Sequence, residues 1–119
     1  MNGWLPTSKV VKVFLISGLL FAIIRLAASD ALDQVFEIRF ERHRFTPQSL
    51  VVPAGRQLRI RVVNLTAETI EFESFKLNRE KVIEPGKTVM VDLRPLKAGS
   101  YDFYDDFHAD VPEGEIVAR

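Results

Sequence analysis

The densest chemistry in the chain lies in residues 99–114, where Tyr101 and Phe103 lead into Asp105, Asp106, His108, Asp110 and Glu113, with Pro112 near the end. Carboxylates crowded around one imidazole repel each other unless a cation or hydrogen-bond donors compensate. A histidine with Asp or Glu is a usual ligand set for borderline divalent metals. Metal binding by His108, Asp105, Asp106 and Asp110 is the chemistry this spacing suggests. A solvated loop after a strand has a similar composition, because Asp and Gly favour turns on their own account.

A second acidic pair, Glu71 and Glu73, flanks Phe72. Alternate residues of a strand share a face, so both glutamates project opposite to Phe72, as two chelating groups or as an ordinary exposed face. The stretch Asn78-Arg79-Glu80-Lys81 reads as a charged, solvated turn, with Glu80 a reserve ligand. His43 sits between Arg42 and Arg44, whose charges disfavour a bound cation, so the sequence argues against ligation there. With no cysteine, no HExxH, no serine elbow and no phosphate-cradling glycine loop, hydrolase chemistry is poorly supported. Asn64-Leu65-Thr66 fits the glycosylation pattern, a match short enough to arise by chance.

The elements that must position these groups are strands. Val35, Phe36, Ile38 and Phe40 form one run, and Leu58, Ile60 and Val62 alternate with Arg59 and Arg61. Pro53-Ala54-Gly55, Pro85-Gly86 and Ala98-Gly99 punctuate the runs with turn chemistry. The expected strands are 35–40, 49–52, 57–64, 70–75, 88–93, 99–104 and 115–117, an all-β sandwich of about seven strands with no helix. The metal site is expected where the loop 105–113 meets the strand carrying Glu71 and Glu73.

Residues 1–31 read as a signal peptide: Lys9 and Lys12 precede an apolar run at 13–24, followed by Ala27, Ala28, Ser29 and Ala31. Twelve apolar residues fall short of the roughly 20 that span a bilayer, and Arg25 ends the run. The remaining 32–119 suit one domain. Equal numbers of basic and acidic residues, 16 of each, hide an asymmetry, since residues 1–29 carry three basic groups and no acid. The exported part is therefore mildly acidic, which excludes a nucleic-acid partner. The absence of cysteine excludes a disulfide scaffold and leaves oxygen, imidazole or thioether ligands for any metal.

The run from Gly99 to His108 resembles the cupredoxin ending G-x-Y-x-F-x-C-x-x-H, with Asp105 at the cysteine position. Residues 45–55 resemble that family's entry strand, and the likeness covers about residues 34–118. The segments 71–74, 77–86 and 103–108 more narrowly resemble the FtrB-type periplasmic cupredoxin-like component of bacterial high-affinity iron permease systems. The resemblance implies a Greek-key fold, places the upstream copper histidine near Glu71 or Glu73, and puts the loop histidine on His108. Without the thiolate, and with no methionine following His108 in the loop, a type-1 copper site is excluded.

The resemblance further implies a periplasmic protein of ferrous-iron uptake that binds copper, with iron as substrate or second metal. It would promote copper-dependent Fe(II) oxidation before transfer to an inner-membrane iron permease and would meet other periplasmic components of that system. The alternatives are a copper carrier without redox turnover and a metal-free interaction subunit. In the oxidase reading, Glu71, Glu73 and Asp105 make a carboxylate-rich Fe(II) position near His108.

Overall fold

The computed structural model describes residues 34–119; the expected signal at 1–31 and its cleavage site lie outside them. In chain order the strands are β1 (Val35–Glu41), β2 (Arg44–Thr46), β3 (Ser49–Val52), β4 (Leu58–Asn64), β5 (Ile70–Ser74), β6 (Arg79–Ile83), β7 (Thr88–Leu93), β8 (Gly99–Asp105) and β9 (Gly114–Ala118). They form a four-stranded sheet in the order β2-β1-β4-β7 and a five-stranded sheet in the order β3-β9-β8-β5-β6. Parallel pairing of β1 with β4 and of β3 with β9 gives the crossed connections of a Greek key.

Seven strands were expected and nine form among the described residues. The two additional ones, β2 and β6, are edge strands rich in charge. An edge strand is paired on one side only, so its apolar alternation is weak, and charges there discourage pairing with other chains. The stretch expected as a charged turn is a turn only at Asn78, which has φ 52°. Arg79 already begins β6, and Glu80 stands opposite Glu73 across the ladder.

The turns at Gly55 and Gly86 have φ of 74° and 71°, a region where only glycine is free of steric cost, which is why these residues separate the strands so legibly. Between the sheets lies an apolar core in which Phe40 and Phe45 from the first sheet meet Phe72 and Phe103 from the second. Phe45 stands edge-on to Phe103 with ring centroids 5.0 Å apart, and Phe72 and Phe103 are also separated by 5.0 Å. All four rings are fully buried or nearly so, each contributing about 1.5–3 kcal/mol of burial. Phe72 and Phe103 anchor β5 and β8, the two strands that carry the chemistry.

Candidate metal centre

Strands β5 and β8 lie side by side, with Phe72 opposite Asp105 and Glu73 opposite Tyr104. Directly opposed residues of an antiparallel pair point to the same face. Asp105 therefore turns inward with Phe72, while Glu71, Glu73, Tyr104 and Asp106 occupy the outer face of the five-stranded sheet. The expected junction of loop and strand is present, but this alternation divides the six candidate ligands into two groups.

On the outer face, carboxylate oxygens of Glu71, Glu73 and Asp106 lie within 4.8 Å of one another. Of the acids expected to gather near His108, Glu71 and Glu73 are joined by Asp106, whereas the register puts Asp105 on the opposite face. Glu71 is only 5% exposed. Its side chain lies among the acids Glu73, Glu80 and Asp106. A hydrogen bond shared with Glu80, together with burial and the charges of Glu80, Asp106 and Glu73, pushes its pKa up to about 7. Burial and the adjacent Glu73 likewise raise the Tyr104 phenol above its ordinary value. The three acids thus form a cluster in which proton binding at Glu71 relieves part of the repulsion.

The second group gathers around His108. The Asp105 carboxylate accepts the backbone N–H of Glu71 at 2.9 Å and of Phe107 at 3.1 Å through Oδ1, and the Nδ1–H of His108 at 2.6 Å through Oδ2. It joins β5, the loop and the imidazole at one point. The pKa of His108 is raised, chiefly by that hydrogen bond against the opposing effect of burial, with the charges of Asp105, Glu68 and Asp110 adding to it. The loop is drawn down by Val111, which is buried and whose N–H donates to the His108 carbonyl. With Nδ1 committed, Nε2 faces outward, 3.3 Å from Glu68 Oε2.

Two residues of this group lay outside the expected set. Glu68 is carried on the connection between β4 and β5, which Asn64 secures. The fully buried Asn64 amide donates to the carbonyls of Glu68, Ile83 and Glu84 and accepts from the N–H and hydroxyl of Thr66. The glycosylation-like match at Asn64 is therefore a structural device, since its amide is out of reach in the fold. His43 belongs to the β1–β2 hairpin, where Arg42 and His43 have φ of 52° and 61°. Two consecutive left-handed residues give the turn favoured in two-residue hairpins, at a cost of about 1–2 kcal/mol for each side chain bearing a Cβ.

That turn swings the His43 ring over the end of the sandwich. Its Nε2 lies 2.8 Å from Asp110 Oδ2, and its ring centroid is 6.2 Å from that of His108. The hydrogen bond from His43 holds the Asp110 carboxyl below its usual range. Arginines adjacent in sequence argued against His43; the acids adjacent in space are what it meets. The signal available in the sequence was scarcity, because His43 and His108 are the only histidines in the chain. Nothing in the alternation pattern marked Glu68.

Comparison with known proteins agrees with this architecture. The sequence profile of the cupredoxin-like domain family matches residues 13–118. An uncharacterised protein of Rickettsia prowazekii (strain Madrid E) is 34% identical over 89 residues, which is 73% of this chain and 71% of that protein. Auracyanin A, a blue copper protein of Chloroflexus aurantiacus, superimposes with a TM-score of 0.61 at 18% identity, covering 73% of this chain and 99% of that one. The metal-binding domain of the Cu(I)-exporting ATPase CopA of Streptococcus pneumoniae D39 gives a TM-score of 0.62 at 15% identity, covering 74% and 87%. At such identities the two structures speak for the fold alone. From its profile match, its Greek-key sandwich and the loop ending at His108, the chain belongs to the cupredoxin-like domain family.

Proposed function

We propose that the protein is an exported, periplasmic metal-binding component of ferrous-iron uptake, and that it holds its cation among Glu71, Glu73 and Asp106. The observation that carries this reading is the meeting of Glu71, Glu73 and Asp106, whose carboxylate oxygens lie within 4.8 Å of one another with Glu71 only 5% exposed. Holding carboxylates this close is costly unless a proton or a cation compensates. Three hard oxygen donors suit a hard or borderline divalent ion and not Cu(I), which prefers sulfur. Iron as the cargo, the periplasmic location and delivery to an inner-membrane permease are supported by the likeness of segments 71–74, 77–86 and 103–108 to the iron-permease component.

The copper centre usual in such folds does not fit these residues. At the cysteine position Asp105 is saturated by three protein donors, one of them the Nδ1 of His108. No sulfur ligand is available there, the loop carrying buried Val111 after His108. Asp105 Oδ2 and His108 Nδ1 are instead bonded to each other at 2.6 Å. Copper-dependent oxidation therefore receives no support from the site, and the reading favoured is a carrier that passes its ion on without changing its charge.

The test is anaerobic calorimetric titration of metal-free protein with Fe(II), beside Glu73→Gln and Asp106→Asn. Wild type should bind one ion, and each variant should bind about tenfold or more weakly, as affinity of oxygen sites follows ligand charge. Absence of binding by wild type would reject the carrier reading and leave a metal-free interaction subunit.

A further inference from the structure

The two ends of the sandwich differ in charge. At the end where β3, β5 and β7 finish, the connecting segments 53–57, 75–78 and 94–98 contain Arg56, Lys76, Arg94 and Lys97 and no acid, and Arg79 opens β6 beside them. At the other end the connections 42–43, 65–69, 84–87 and 106–113 carry five acids against Arg42 and Lys87. We infer that the basic end docks on an anionic phospholipid surface, with Phe75 entering the headgroup layer. The inference rests on the export part of the proposed function and not on iron binding.

The basic groups make one surface. The Gly55 N–H donates to the Leu96 carbonyl at 2.8 Å, which ties segment 53–57 to segment 94–98. Lys76, Arg79 and Arg94 line one hollow with Leu77, Leu93 and Leu96, and no acid borders it. Lys76 pairs with Asp102 at 3.2 Å, while Arg79 donates to the backbone carbonyls of Asp92 and Asn78. Among the described residues the other basic groups of this end make no ion pair, so their charge is open to a partner. Phe75, directly before Lys76, is 87% exposed. An apolar ring beside several cations suits the interface of an anionic bilayer, where the ring meets the acyl boundary and the cations meet the phosphates.

The point at which the chain enters the domain favours a membrane over an acidic protein. The Arg59 N–H donates to the Gln34 carbonyl at 3.1 Å, which holds the start of the described chain at the basic end. The apolar run read as the core of an export signal finishes at Ile24, and the residues from there to Gln34 reach at most about 35 Å when extended. While that run occupies the membrane during export, the basic end is therefore the one held close to the headgroups. The acids at the far end do not cancel the attraction. A seven-residue strand such as β4, which runs from one end to the other, is about 23 Å long, or about three Debye lengths at physiological salt. The bilayer's field is met by the basic end and is screened before it reaches the acidic one.

The experiment is co-sedimentation of protein purified from the periplasm with vesicles of equal parts phosphatidylglycerol and phosphatidylcholine, beside vesicles of phosphatidylcholine alone, at about 0.1 M salt. Binding to the first and not to the second is expected, and it should weaken as salt rises. Each basic group near such a surface contributes about fivefold, so Arg94→Gln and Lys97→Gln combined should bind about twenty-five-fold more weakly. Both side chains are exposed, so the fold is retained, as an unchanged melting temperature would show. Phe75→Ser should bind about tenfold more weakly with the same dependence on salt. The double variant should titrate with Fe(II) as wild type does, so the docking surface and the iron site are read separately. Equal binding to the two kinds of vesicle, or undiminished binding by the double variant, would overturn the proposal. Retention on immobilised polyglutamate without binding to phosphatidylglycerol vesicles would also overturn it and assign this end to an acidic protein.

Discussion

Replacing Asp105 by Ala removes the acceptor of three hydrogen bonds at once, from the N–H groups of Glu71 and Phe107 and from His108 Nδ1. The carboxylate side chain is fully buried, and a buried N–H left without a partner costs about 1–3 kcal/mol. Losing two such partners and the bond to the imidazole should cost about 3–5 kcal/mol in all, the range for breaking a buried charged pair by removing one member. Against a net stability of about 5–15 kcal/mol for a single domain, that is a large share. Asp105→Asn keeps an oxygen for both N–H groups but places an amide –NH2 donor where Oδ2 accepts from His108, so it should cost less than the Ala variant, about 1–2 kcal/mol. Urea denaturation at constant pH measures both. A loss below about 1 kcal/mol for the Ala variant, or equal losses for the two variants, would refute the idea that this carboxylate joins β5 to the loop. The pH dependence gives an independent check. Because the folded pKa of His108 is raised, its stabilisation is complete below the unfolded histidine value and is lost as pH rises through the folded one. In Asp105→Asn the imidazole should titrate at lower pH, as followed by the ring proton resonances.

Further outcomes follow from other groups. The Glu71 pKa is raised from 4.5 to about 7, so the folded state binds the extra proton and stability falls as pH rises through that window; Glu71→Gln should flatten the decline in denaturation measured at pH 5 and pH 8. A Cβ added at Gly114 would lie 2.3 Å from the Phe103 ring and 2.9 Å from the Gln48 carbonyl oxygen, so Gly114→Ala should destabilise by about 1–3 kcal/mol through overpacking; an unchanged melting temperature would contradict this. N-terminal sequencing of protein from the periplasm should begin near Asp30 or Leu32, and an intact Met1 would refute cleavage.

Much of this protein was legible in one dimension because strands impose a period of two. That period placed Phe72 in the core and Glu71 and Glu73 on the opposite face, and it marked β1, β4 and β7. Glycines with positive φ marked the ends of strands, and the pattern from Gly99 to His108 pointed to the fold family. Periodicity states which residues of one strand share a face, but it does not state which residues of another strand they meet. The pairing of Phe72 with Asp105 decided that Asp106, and not Asp105, joins the glutamates. Folding of the β1–β2 hairpin over the sandwich end decided that His43 meets Asp110 and His108, overriding the arginines beside it in the chain. Charge interactions act through distance in space, and those distances exist only once the two sheets have closed on their shared core.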